Sequence, residues 1–480
     1  MLKYILLPFF VCLTTLCLPF NAEAQRTSPF EPVATGETTY VVDVAPGLDT
    51  GCTFRGGGPL IIPFNVTRFV GDTSGTGVLL KAATLTNDKI ISQNATIRLP
   101  AWDIDGPEHD RVTVNGHVLG LLKGANGLWN MNEFTIPVEW LRFPKKGVNG
   151  STPTPVNNEI KIDIDISSPG QSWCMQVDWI EVSFEAMSPL LLVHGTNAQS
   201  DTWVPDVTDF LTSRSVPHSN NINLVANGTI DGNARLLKGR VNALAKSFGA
   251  EKVHLIAHSK GGLDSRRFLG QYYTPTPGAE AKVLSLYTIS TPHHGTIISD
   301  LTRANRVHNA FSNDPDVQAY LNRETYTPSS FTPVDPALSE QTVENMLSFN
   351  RNNPFSGNGV QFHTISADAD LNNDGQISGN ESSPLIPNIF GVPSLMYRLL
   401  GNVETITVTR GSPGIFQTRY QVTPNPTGAF QENDLVVTTT SARHPAATEI
   451  LFADRNHSNI KDAATIQTIL NRIQADYPVQ

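Results

Sequence analysis

Ser259 stands in "VHLIAHSKGGLDSRRFL", which begins at Val253. A short apolar run leads in, small residues flank the serine, and a helix-like pattern follows. Ala257-His258-Ser259-Lys260-Gly261 has the form of a nucleophile elbow, G-x-S-x-G with Ala in place of the first Gly. In such a turn the hydroxyl stands clear of the strand end, and the next N–H points toward the oxygen of an attacked carbonyl. The chemistry this allows is nucleophilic attack and acyl transfer. An idle serine in a plain strand–turn–helix is the competing reading. Two further stretches weigh against it. "LLVHGTN" puts His194-Gly195 at the end of an earlier apolar run, where a following N–H can donate to the same oxygen. "TISTPHHGT", Thr288 to Thr296, closes the next run.

"VHGT", "AHSKGG" and "STPHHGT", in this order and spacing, resemble the bacterial secreted lipases of the α/β-hydrolase superfamily over about residues 187–480. The resemblance implies a nucleophile, an acid and a histidine in the order Ser, Asp, His. In those lipases the acid lies in an Asn-Asp-Gly-Leu-Val-like segment. Here Asn433-Asp434-Leu435-Val436 matches without the Gly, so Asp434 is the expected acid. The family histidine precedes the last helix, and "DRNHSNI" supplies His457. His444, beside Pro445, is its rival and is expected in a surface loop. Asp368 and Asp370 are the rival acids, at a strand end where some α/β-hydrolases keep theirs. The resemblance implies that His457 takes the Ser259 proton, Asp434 orients the imidazole, and the main-chain N–H groups of Thr196 and Lys260 hold the oxyanion. The Lys260 ammonium is expected to face solvent. His258, His293 and His294 are expected to pack around the site rather than act as bases, and the adjacent His293 and His294 are not expected to share one metal. The implied substrates are lipids or other esters, at an oil–water or polymer interface. A triacylglycerol lipase is the first expectation and a polyester depolymerase the alternative, with no organic cofactor.

"DLNNDGQISGNE", Asp370 to Glu381, follows the twelve-residue calcium-loop pattern. Asp370, Asn372 and Asp374 take positions one, three and five, and Gly375 gives the turn at six. The Gln376 carbonyl stands at seven, Ser378 at nine and a bidentate Glu381 at twelve. The expectation is a structural Ca2+. The competing reading is an Asn/Asp/Gly turn without metal. The related lipases carry a carboxylate two residues after the histidine for a calcium of their own. Asn459 stands there in this chain, so that second site is not expected.

These residues need elements to hold them. "PLLLVHG", "KVHLIA", "KVLSLYTIS" and "VQFHTIS" read as buried strands, and "GNARLLKGRVNALAKSFGA" and "GGLDSRRFLGQYY" as helices between them. Alternating strands and helices predict an α/β domain with a mostly parallel sheet over 187–480, closed by the amphipathic "IKDAATIQTILNRIQ". Short amphipathic patterns at about 297–355 predict a helical cap, either an interfacial lid or an ordinary wall of the pocket. Residues 25–186 read as β: "EIKIDIDIS" alternates, and Asn115-Gly116 marks a hairpin. A β-sandwich, jelly-roll-like accessory domain is expected. Trp102, Trp129, Trp173 and Trp179 are either its core or a binding platform.

The 480 residues exceed the roughly 250–300 at which single cores stop growing, which agrees with two domains. A formal net charge of −10 argues against a nucleic-acid partner. Residues 1–24 end in Ala22-Glu23-Ala24 after an apolar run broken by Pro8 and Pro19, and predict a signal peptide rather than a membrane anchor. The expected location is extracellular. Cys52 and Cys174 then remain and are expected to form a disulfide. A non-catalytic surface- or matrix-binding protein on a hydrolase fold is the rival to an enzyme.

Overall fold

The computed structural model describes residues 28–33, 35–44, 53–54, 58–73, 77–148, 150–167, 173–275, 280–303, 336–355, 359–378, 381, 393–410, 418–424, 429–452 and 455–480. The expected signal peptide, Cys52 and the middle of the expected cap lie outside these residues.

Alternating side chains build the first part of the chain. In Leu60–Val66, Leu60, Ile62, Phe64 and Val66 turn inward while Ile61, Pro63 and Asn65 are exposed, the two-residue period of a half-buried strand. This strand joins a four-stranded antiparallel sheet with Val156–Asp163, Arg111–Val114 and His117–Leu121. Asn115 and Gly116 have φ of +47° and +90°, the hairpin turn their side chains favour. A six-stranded antiparallel sheet is built around Asn94–Trp102, which pairs with Trp129–Pro137 on one side and with Trp179–Ser183 and Cys174–Val177 on the other. Ile62, Phe64, Ile160 and Ile162 of the first sheet share a core with Ile97, Leu99, Ile180 and Val182 of the second. Burying each such side chain stabilises the fold by about 1.5–3 kcal/mol. Trp179 is buried outside that core, with its indole N–H donating to the Phe30 carbonyl at 3.2 Å, while Trp102, Trp129 and Trp173 are half-buried. Cys174 is disulfide-bonded.

The second part carries a six-stranded, wholly parallel sheet. Its spatial order is His218–Ile222, Leu190–Val193, Lys252–His258, Lys282–Ile289, Gln361–Ala367 and Thr448–Phe452. Leu190–Val193 is buried at every position, as a strand covered on both faces must be. The helix Ile230–Ser247 buries Ala234, Leu237, Val241 and Leu244 at helical spacing. It starts at a Thr229 cap and is stopped by Gly249 at φ +62°. The terminal helix Ala463–Asp476, capped by Asp462, buries Ile466, Ile469, Leu470 and Ile473. Within the expected cap, Ile297–Arg303, Pro336–Glu340 and Val343–Asn352 are helices. An antiparallel pair, Val403–Arg410 with Thr418–Pro424, was not legible in the apolar pattern. Among the described residues no helix is long and apolar enough to cross a membrane.

The strand order fixes where a site can form. The chain leaves Leu190–Val193 toward one edge, then returns to place Lys252–His258 on its other side. The crevice outside the carboxyl ends of these two strands is the topological switch point of the sheet. Gly195 and Ser259 stand at those two ends.

Candidate active site

Ser259 has φ +54° and ψ −133°, a conformation that costs an L-residue roughly 1–3 kcal/mol. Neighbouring backbone holds it there. Its N–H donates to Ile289 O at 2.9 Å, and its carbonyl accepts from Gly262 N at 3.0 Å and from Thr291 Oγ1 at 2.8 Å. The turn also needs small neighbours. A Cβ on Gly261 would stand 2.4 Å from His194 O, and one on Gly195 would stand 2.7 Å from Ser259 Cβ. The strand end bearing Gly195 therefore passes directly beside Ser259, and any side chain at either glycine would push them apart.

His457 Nε2 lies 3.1 Å from Ser259 Oγ, and its Nδ1 lies 2.9 Å from Asp434 Oδ2. Asp434 is 1% exposed. Its other oxygen accepts the N–H groups of Val436 at 2.9 Å and Val437 at 2.7 Å, which hold the carboxylate plane. The His457 main-chain N–H donates to Asp434 O at 2.9 Å. A carboxylate facing Nδ1 makes that nitrogen the donor and leaves Nε2 as the acceptor turned to the serine hydroxyl. Such an arrangement can remove the hydroxyl proton as the oxygen attacks an acyl carbon.

The rivals are committed elsewhere. Asp368 accepts the Tyr397 hydroxyl at 2.7 Å and the Asp370 N–H at 3.2 Å. The His444 ring packs at 5.1 Å on Phe362, and burial pushes it down to about 3. His293 is fully buried, between Arg266 Nη1 at 3.1 Å and Thr288 Oγ1 at 3.0 Å, a packing role as expected.

Lys260 departs from expectation. Its ammonium does not face solvent: the residue is 1% exposed and pairs with Asp264 Oδ1 at 2.8 Å and Oδ2 at 3.1 Å. Lys260 opens the helix Lys260–Gln271, and Asp264 follows one turn later on the same inward face. Asn233 Nδ2, from the neighbouring helix, adds a bond of 3.0 Å to the carboxylate. Burial still raises the Asp264 carboxyl to about 6 against the pull of Lys260. Gln341 was also missed. Its amide donates to Thr196 Oγ1 at 2.9 Å and to Ala337 O at 2.8 Å, tying the Gly195-Thr196 turn to the helix Pro336–Glu340. No motif marks it, because the contact joins residues far apart in sequence.

The loop 370–378 and Glu381 fold around their own oxygens. Asp370 Oδ2 accepts Gly375 N at 2.7 Å, and Asp374 Oδ1 accepts Gln376 N at 2.7 Å. Glu381 accepts Leu371 N at 3.0 Å and Ser378 N at 2.8 Å. Gly375 has φ +75°, and Ile377 is buried as an anchor. Asp370, Asn372, Asp374, Gln376, Ser378 and Glu381 offer only oxygen donors, the type a hard cation prefers. Among the described residues, no three His, Cys, Asp or Glu side chains gather closely enough to hold a metal ion. The loop touches the site's supports: Ala369 N donates to Asn433 O at 2.9 Å, and Asn456 Nδ2 to Glu381 O at 3.3 Å. Asn459 Oδ1 accepts Asn456 N at 2.7 Å within the same turn.

Neither a protein-family model nor a curated protein matches the chain. Among solved structures it is similar to a lipase of Bacillus licheniformis in its mature form, at 20% identity and a TM-score of 0.38, over 60% of this chain and 92% of that one. The Staphylococcus hyicus lipase gives 14% identity and a TM-score of 0.35, over 60% and 97%. Lipase 1 of Pelosinus fermentans gives 16% identity and a TM-score of 0.36, over 60% and 98%.

Proposed function

We propose that this protein is a secreted serine ester hydrolase, a lipase or carboxylesterase, that works through an acyl-enzyme. The reading is carried by one observation: Ser259, strained at the sheet's switch point, lies in line with His457 and Asp434. His457 takes the Ser259 proton as Oγ attacks the ester carbonyl. The imidazolium then gives that proton to the leaving alcohol, and the acyl group stays on Ser259. Water, deprotonated by the same imidazole, attacks the acyl carbon and releases the acid. Asp434 holds the tautomer and stabilises the imidazolium. The N–H groups of Thr196 and Lys260 take the oxyanion, the electrostatic contribution that dominates acyl transfer. Acylglycerols are the first substrate class, and insoluble polyesters the alternative within it.

The test is turnover of p-nitrophenyl esters of increasing chain length, in solution and at an oil interface. Wild type should hydrolyse at least one ester, and Ser259→Ala should lose about three or more orders of magnitude in kcat. A folded wild type without turnover would leave the non-catalytic binding protein as the better reading. The loop 370–381 is assigned a structural Ca2+, supported by its donor types and their order. Excess calcium should raise Tm in wild type and not in Asp374→Ala, and an unchanged wild-type Tm would discard the site.

A further inference from the structure

His258 immediately precedes the nucleophile, and the residue is 5% exposed. Its Nε2 lies 2.9 Å from the main-chain oxygen of His457. The two imidazoles stand 4.7 Å apart between centroids, tilted by 50°. The Trp203 indole packs edge-on against His258 at 6.3 Å. A carbonyl oxygen only accepts, so Nε2 of His258 carries the proton. Burial holds this imidazole well below its usual value, and the nearby Lys461 and His457 oppose its charge further. His258 is thus a neutral N–H donor. It adds no cation beside the imidazolium that His457 forms during the reaction.

The bond completes the hold on the His457 backbone. Its N–H is taken by the Asp434 carbonyl, and its C=O by His258. One clamp comes from the loop that bears the acid, and the other from the residue next to the serine. The second sets the spacing of base and nucleophile through one hydrogen bond and the short chain path from His258 to Ser259.

We propose that His258 is a positioning residue: its Nε2–H fixes the His457 backbone so that the His457 imidazole stays 3.1 Å from Ser259 Oγ. In this role His258 acts through His457, and not on the substrate itself. The inference rests on the serine-hydrolase reading above.

The test compares His258→Leu, which removes the donor, with His258→Gln, whose Nε2–H reaches about as far. Kinetics on a soluble ester and Tm are read for each. His258→Leu should lower kcat by about 10–100-fold with KM moved less than about twofold, since a misplaced base costs the chemical step. His258→Gln should recover most of that loss. The proposal is overturned if His258→Leu keeps kcat within about twofold of wild type, or if His258→Gln is as impaired as His258→Leu at equal Tm. Should His258→Leu fail to fold, His258→Asn takes its place, with an amide too short to reach the carbonyl, and equal kcat for Asn and Gln overturns the proposal. An active wild type and an inactive Ser259→Ala beside an unimpaired His258→Leu refute this inference alone. An inactive wild type refutes the function and the positioning role together.

Discussion

At the residue scale, two side chains behave against their local rules. Leu435 follows Asp434 directly, with no Gly between them, and its φ is +75°, in the left-handed region. The strain is roughly 1–3 kcal/mol. Leu435 is fully buried, and burying its side chain stabilises by about 1.5–3 kcal/mol, which offsets the backbone cost. The Asp434 loop therefore keeps its turn without a glycine. Lys260 is the other case. Only its N–H was required for the oxyanion and its ammonium was expected in solvent, and the i, i+4 spacing to Asp264 did not reveal that both would be buried with Asn233 against them. Removing one partner leaves the other charge buried and alone. Lys260→Met should destabilise by about 3–5 kcal/mol, and Lys260→Met with Asp264→Leu should recover most of that. Thermal or urea unfolding checks this, and equal loss in the single and double variants would contradict it.

At the element scale, the sequence was legible wherever burial is periodic. The strands Leu190–Val193, Lys252–His258, Lys282–Ile289 and Gln361–Ala367 were readable as apolar runs. Their separating helices were readable from spacing and from caps such as Thr229 and Asp462. The alternating pattern of "MQVDWIEVSF" suggests one strand, but it forms two, Cys174–Val177 and Trp179–Ser183, broken at Asp178 although both halves pair with Asn94–Trp102. Ile164 and Ile166 continue an alternating run, yet the strand ends at Asp163, two residues before Asp165 at φ +40°. Of the site, Ser259 was legible because an elbow is local. Asp434 and His457 were legible only through a resemblance, since their meeting is set by loops 23 residues apart in sequence. Gln341 and the His258 bond to His457 were not legible, because each contact joins residues far apart in sequence.

At the scale of the whole molecule, the two parts are joined by polar groups as well as by packing. Arg68, fully buried, donates to Met187 O at 2.6 Å and reaches Phe248 O at 3.4 Å. The β part also carries a pH dependence of its own. Glu108 is buried, and desolvation, with Asp110, Asp105 and Asp103 adding like charge, raises its carboxyl to about 7 from 4.5. Between those values the folded chain keeps the proton and the unfolded chain releases it. The stability Glu108 contributes is therefore fully present below about 4.5 and lost as pH rises through about 7, up to about 1–3 kcal/mol. Asp110 is raised in the same direction, by burial first. Glu108→Gln should thus raise Tm at pH 8 and change it little at pH 4. An equal change at both values would contradict this.

The central claim is that Ser259 is a nucleophile activated by His457. A fluorophosphonate ester, which phosphonylates only an activated serine, tests it without any assumption about substrate. Mass spectrometry of the digested protein should find the adduct on the peptide bearing Ser259 in wild type, and little or none in folded His457→Ala. An unlabelled wild type, an adduct on another residue, or equal labelling of His457→Ala would contradict the account.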